Sequence, residues 1–224
     1  MSRRRMMFKK SELPAGYMRC KYLESTGTQY IQLPEFSIED HPKVHFKFFI
    51  NNDYNTDVRI FGQRNDNVSN LSFGTGFNNN AAFDYGYLMA RIYEIKPYLV
   101  YDCTFLDTIL TINGIVTIPW SFNSIGSYGG GEYYGILPKF IIFGQCRDGI
   151  NVINAKANLR IMEFCIENKF NLIPALDPSG RPCMYDTVTK QPFYNAGTGE
   201  FLYELSGVLS KLIRRLRRLG GGSL

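Results

Sequence analysis

The 224-residue chain predicts an antiparallel β-sandwich, and three observations carry that expectation. Short runs of alternating apolar residues recur at nearly even spacing between residues 20 and 168, with no helical period between them. The 17 Phe and 15 Tyr favour pleated surfaces, where rings pack against cross-strand neighbours. Asn113-Gly114, set between β-branched runs at residues 108–112 and 115–118, is the signal for a two-residue type I′ hairpin.

Taken in order, residues 1–12 read as a basic arm, Pro14 to Gly16 as a turn, and residues 20–33 as two short strands interrupted near Ser25 and Gly27. Residues 43–50 (KVHFKFFI) place Val44, Phe46, Phe48 and Ile50 on one face and Lys43, His45 and Lys47 on the other; only Phe49 breaks the pattern. His45 is therefore expected on a solvated face and His41 in a loop, which gives no two-histidine site. Further strands are expected at residues 58–63, 70–77, 82–84, 86–95, 98–105, 139–145 and 158–168. In the last of these, even spacing predicts Ile161, Glu163, Cys165 and Glu167 on an outer face, with Arg160, Met162, Phe164 and Ile166 towards the core.

Residues 172–203 (LIPALDPSGRPCMYDTVTKQPFYNAGTGEFLY) contain a Pro178-Ser179-Gly180 turn and an Asn195-Ala-Gly-Thr-Gly199 bend, with short strands between. So many turns cannot support themselves, and the segment is expected to wrap a sandwich made by the rest of the chain. Together with residues 13–31 (LPAGYMRCKYLESTGTQYI), it resembles the closing and opening motifs of concanavalin A-like (laminin G-like jelly-roll) domains of bacteriophage and prophage structural proteins. The resemblance brackets residues 13–204 as one jelly-roll domain. It implies a virion protein made in the host cytoplasm, with other virion proteins as partners, and transfers no catalytic residues.

The net charge of +5 is unevenly distributed. Five basic residues precede residue 11 and five follow residue 204, leaving 15 basic against 20 acidic between them, a body of −5. An acidic body with basic ends argues against a nucleic-acid-binding body and confines nucleic-acid or anionic-membrane contact to those ends. The five cysteines, Cys20, Cys103, Cys146, Cys165 and Cys183, include no C-x-x-C pair, and their apolar settings suit reduced thiols in a reducing compartment. The charged N-terminus has no apolar run of the kind a signal peptide carries, and no run reaches membrane-spanning length.

A Glu-x-Asp-x-x-Glu strand of the kind sandwich glycosidases use is absent; Glu163 and Glu167 come nearest, as two carboxylates on a partly solvated face. No nucleophile elbow, P-loop or His-Glu-x-x-His occurs. Asp53, Asp57 and the surrounding asparagines make an oxygen-rich loop that lacks a bidentate Glu for calcium. No enzyme activity, metal or cofactor is therefore expected.

Binding is the better-supported expectation. Aromatic and amide-rich loops at residues 78–87 and 120–134 have the residue types of shallow sugar sites, with Trp120, Tyr128, Tyr133, Tyr134 and Asn79 as candidate ligand contacts for host-surface glycan or protein. The same rings could equally plug the sandwich ends or pack against neighbouring subunits. Residues 205–219 read as an amphipathic helix: Leu205, Val208, Leu209, Leu212, Leu216 and Leu219 form an apolar stripe, and Lys211, Arg214, Arg215, Arg217 and Arg218 the basic face. A mainly Leu stripe fits self-association or docking, with a trimer among the homo-oligomers open to it; the four arginines are the candidate basic contacts for membrane or nucleic acid. Residues 220–224 are a Gly-rich tail.

Overall fold

The computed structural model describes residues 13–37, 42–53, 58–64, 70–75, 80–85, 88–106, 109–117, 136–137, 139–147 and 151–207. These form strands and turns alone. The first strands are β1 (Met18–Ser25), β2 (Ile31–Leu33), β3 (Phe36–Ser37), β4 (Val44–Ile50) and β5 (Arg59–Arg64). They are followed by β6 (Asn70–Thr75), β7 (Asn80–Tyr85), β8 (Leu88–Glu94), β9 (Val100–Leu106) and β10 (Ile109–Ile112). The second half contains β11 (Ile115–Thr117), β12 (Ile136–Leu137), β13 (Phe140–Ile142), β14 (Gly144–Arg147) and β15 (Asn151–Asn154). Last come β16 (Leu159–Ile166), β17 (Phe170–Leu176), β18 (Pro182–Asp186), β19 (Gln191–Tyr194) and β20 (Leu202–Leu205).

A large sheet runs β11-β10-β9-β4-β16-β1-β17-β18-β19, with β20 also on β1. A second sheet runs β15-β14-β5-β6-β7-β8, with β13 joining β2 and β5, and β12 pairs with β3. Pairing is antiparallel except between β14 and β5. The sheets meet through a layer of rings: Phe46 lies 4.8 Å from both Phe61 and Phe73, and Phe61 lies 5.0 Å from Phe164. Phe46, Phe48 and Phe164 come from the large sheet and Phe61 and Phe73 from the second; all are buried. The result is an all-β architecture of two facing sheets, as in a β-sandwich.

The expected hairpin is present. Asn113 and Gly114 both take positive φ (51° and 77°), as a type I′ turn requires, and β10 pairs with β11 across them. The single strand expected at residues 139–145 is two. Phe143 turns left-handed (φ 67°) and buried between β13 and β14, so that β13 pairs antiparallel with β2 and β5 while β14 runs parallel to β5.

The segment from residue 172 onward is built into the sandwich: Leu172, Met184 and Phe201 join the main core, and Asn195 bridges to Ile31 of β2. It extends the large sheet as β17, β18 and β19 and adds a small core of its own, in which Ala175, Cys183 and Tyr185 pack with Leu13, Tyr17 and Tyr194. Its turns are held by two carboxylates. Asp177 Oδ1 accepts from the Ser179 amide (2.8 Å), the Ser179 hydroxyl (2.6 Å) and the Arg181 amide (2.9 Å), and Oδ2 accepts from the Tyr194 hydroxyl (2.9 Å). Asp186 accepts from the amides of Asn171, Val188 and Thr189 and from the Thr189 hydroxyl.

Residues 13–31 interlock with the closing segment. β1 pairs with both β17 and β20, and Ala196 and Thr198 donate to the carbonyls of Tyr30 and Thr28 (2.9 and 3.2 Å). Asn195 Oδ1 accepts from the Tyr30 and Gly197 amides. Gly197 is required for this approach, because a Cβ there would stand 2.1 Å from the Thr28 carbonyl oxygen.

Phe61→Ala should cost about 3–5 kcal/mol in urea unfolding, because the cavity opens at the centre of the ring layer. The hydrogen bonds from Ser179, Arg181 and Tyr194 hold the Asp177 carboxyl down at about 2. A lowered folded pKa stabilises above the ordinary carboxylate value of about 3.9 and loses that effect as pH falls towards about 2. The melting-temperature gap between the wild type and Asp177→Asn should therefore be constant from pH 7 to pH 5 and shrink between pH 4 and pH 2; a gap independent of pH would refute the role of the charge.

Candidate binding face

The outer face of the large sheet is set by alternation and one bulge. In β4 the inward Phe46 and Phe48 leave His45, Lys47 and Phe49 facing outwards. In β16 the expected alternation holds from Glu163 to Ile166 and fails before it. The register with β4 shifts between Ile161 and Glu163, so Leu159 and Ile161 face the core before the bulge and Phe164 and Ile166 after it. Ile161, expected outside, is 1% exposed, and Arg160, expected towards the core, faces outwards with Glu163 and Cys165. One extra residue lets both halves of an out-of-phase apolar pattern bury themselves.

The bulge brings together a group that sequence spacing did not reveal. Val100, Phe49, Arg160, Glu24 and Leu202 stand opposite one another across β9, β4, β16, β1 and β20. Arg160 Nε donates to Glu24 Oε2 at 2.6 Å, and Glu24 Oε1 accepts from Asn51 Nδ2 at 3.0 Å. The guanidinium carbon lies 4.4 Å from the Tyr22 ring centroid and 5.2 Å from that of Phe49, within cation–π range of both. Burial pushes the Tyr22 phenol up, opposed by the charge of Arg160. Phe49, the residue that broke the β4 pattern, is thus one wall of the arginine's slot. An arginine on an apparent core face was the one signal that the simple alternation was wrong.

Further along the same face, His45 Nε2 pairs with Asp102 Oδ1 at 2.9 Å, and Lys47 Nζ lies 3.5 Å from Oδ2. His45 is mostly covered, with its side chain 16% exposed, whereas the sequence predicted a solvated ring. Cys165 stands opposite His45, and burial pushes its thiol up to about 11, which makes it a neutral thiol at neutral pH and a poor nucleophile. Cys20, Cys103, Cys146 and Cys183 are buried free thiols, and Cys165 is a half-buried one. Among the described residues no group of three His, Cys, Asp or Glu could hold a metal, and no helix is long and apolar enough to cross a membrane. A cleft of about 230 Å³ between the start of β1 and the end of β20, lined by Tyr17, Met18, Arg19, Leu205 and Ser206, is too small for an extended ligand.

Of the predicted site residues, Trp120, Tyr128, Tyr133, Tyr134 and Asn79 lie outside the described residues. So do Val208, Leu209, Leu212, Leu216 and Leu219 with Arg214, Arg215, Arg217 and Arg218, as well as the arm at 1–12, the tail at 220–224, His41 and Asp57. Leu205, expected to open the helix, instead ends strand β20. It stands opposite Cys20, and Ser206 then donates to the Arg19 carbonyl (2.9 Å); this ladder on β1 overrides the helical spacing locally.

Fold and face together define an all-β protein of two packed sheets with a charged and aromatic outer surface. The chain matches no family model and no curated protein.

Glu24 is 4% exposed while the Arg160 side chain is one-quarter exposed, so water recovers only part of what a broken pair loses. Glu24→Ala should cost about 1–3 kcal/mol in urea unfolding. Lys21→Ala, which removes only the exposed pair with Glu204, should stay within about 0.5 kcal/mol of wild type.

Proposed function

We propose that the protein is a non-enzymatic bacteriophage virion protein: a concanavalin A-like jelly-roll module that serves as a tail-fibre, head-fibre or capsid-decorating adhesin for host-surface glycan or protein. The observation that carries this reading is the interlock of residues 13–31 with residues 172–203. The two motifs that resemble the family are one hydrogen-bonded unit, clamped by Asn195 and Gly197. The outer face of the large sheet adds the surface chemistry of a binding module, with aromatic rings beside charged groups in a shallow setting.

A purely structural role in the virion is favoured by a different observation. Leu106, Ile109 and Ile115, at the β9–β11 edge, are 42%, 42% and 66% exposed, an apolar edge suited to subunit contact. Labelled protein applied to host cells and to a glycan array separates the two readings. Saturable binding that free glycan competes away supports the adhesin, and absence of binding together with incorporation into particles supports the structural component.

In this reading the Leu stripe at residues 208–219 assembles the module. The full chain should form a defined oligomer in light scattering, and a chain ending at Gly207, which keeps β20 intact, should be monomeric. An unchanged assembly state would remove the stripe from the mechanism.

A further inference from the structure

We infer that Arg160 is the recognition centre for a carboxylate-bearing sugar, with Tyr22 and Phe49 as the walls of the site. This deepens the glycan-binding reading and rests on it. The guanidinium is tethered through Nε to the nearly buried Glu24, which is itself held by Asn51, and it lies between two rings supplied by the strands on either side. Among the described residues the guanidinium makes no hydrogen bond beyond that to Glu24, and a quarter of the side chain is open to solvent. A fork fixed in this way has its ordering cost met by the fold, and its free Nη groups match the planar, two-oxygen geometry of a carboxylate.

The surroundings select among anions. Glu24 accepts from the guanidinium Nε, and three other acids on this face are near basic partners: Asp102 with His45 and Lys47, Glu163 with Arg19, and Glu204 with Lys21; Glu167 stands exposed beyond the end of β16. A face so nearly neutral does not draw in a phosphate dianion by field alone, whereas a delocalised monoanion can be bound by local geometry. The Tyr22 and Phe49 rings, with exposed Val100 and Leu202 in the same transverse row, offer apolar contact to the C–H faces of a sugar ring. The ligand class is an acidic monosaccharide unit of a surface polysaccharide.

The test is an NMR titration of the full chain with methyl β-D-glucuronide and with methyl β-D-glucoside, which differ only at the carboxylate. The glucuronide should shift resonances around Arg160, Tyr22 and Phe49 with a dissociation constant at least about tenfold below that of the glucoside. Arg160→Lys keeps the charge but loses the fork and should weaken the glucuronide about tenfold or more. Phe49→Leu keeps the apolar cover and should weaken it a few-fold, which supplies a second reading should Arg160→Lys fail to fold. Equal affinity for the two glycosides, no glucuronide binding, or a folded Arg160→Lys that binds like wild type would each overturn the assignment. Host-glycan binding that survives Arg160→Lys would overturn this site and leave the adhesin reading standing; absence of any glycan binding by the wild type would overturn this site and the glycan branch of that reading, leaving only its protein branch.

Discussion

The ring layer between the sheets determines where everything else points. Because side chains alternate along a strand, burying Phe46 and Phe48 against Phe61 and Phe73 commits His45, Lys47 and Phe49 to the opposite surface. The same demand acts on β16, where Leu159 and Ile161 are out of phase with Phe164 and Ile166. A bulge between Ile161 and Glu163 reconciles them, and Arg160 emerges on the outer face as a consequence. The outer surface is in this sense a product of the core.

A second constraint is closure. β1 is hydrogen-bonded to β16, β17 and β20, so the opening strand is complete only when the last strands of the domain are in place. The turns that make this work are specified by side chains rather than by the ladder. Asp177, Asp186 and Asn195 each satisfy several backbone amides that short strands would otherwise leave without partners. Contacts between residues so distant in sequence are entropically costly to form, which is consistent with the dense side-chain hydrogen bonding found there.

The outer face combines groups with different electrostatic standing. The Asp102 contacts with His45 and Lys47 are partly exposed, and water screens them. The Glu24–Arg160 pair is the more strongly sequestered, and its rings on either side restrict the arginine to one orientation. Restriction of this kind adds little to stability but prepares a group for recognition, since a ligand need not order it.

The all-β class, the β4 strand with its inward Phe46 and Phe48, and the Asn113-Gly114 hairpin were legible in the sequence, because alternation and turn chemistry are local properties. Most strand positions followed for the same reason. What the sequence did not reveal came from pairings between distant segments. Phe143 breaks one apolar run into two strands because β13 and β14 take different partners. Leu205 belongs to a strand because β1 offers it a ladder, although its spacing to later leucines is helical. Arg160, Tyr22, Phe49 and Glu24 converge because a bulge, which has no signature in alternation alone, shifts one strand by a residue. Sequence by itself determined which residues prefer strands and turns; only the tertiary structure decided which strands meet, and so which side chains share a face, because that choice depends on burying both sheets against one another at once.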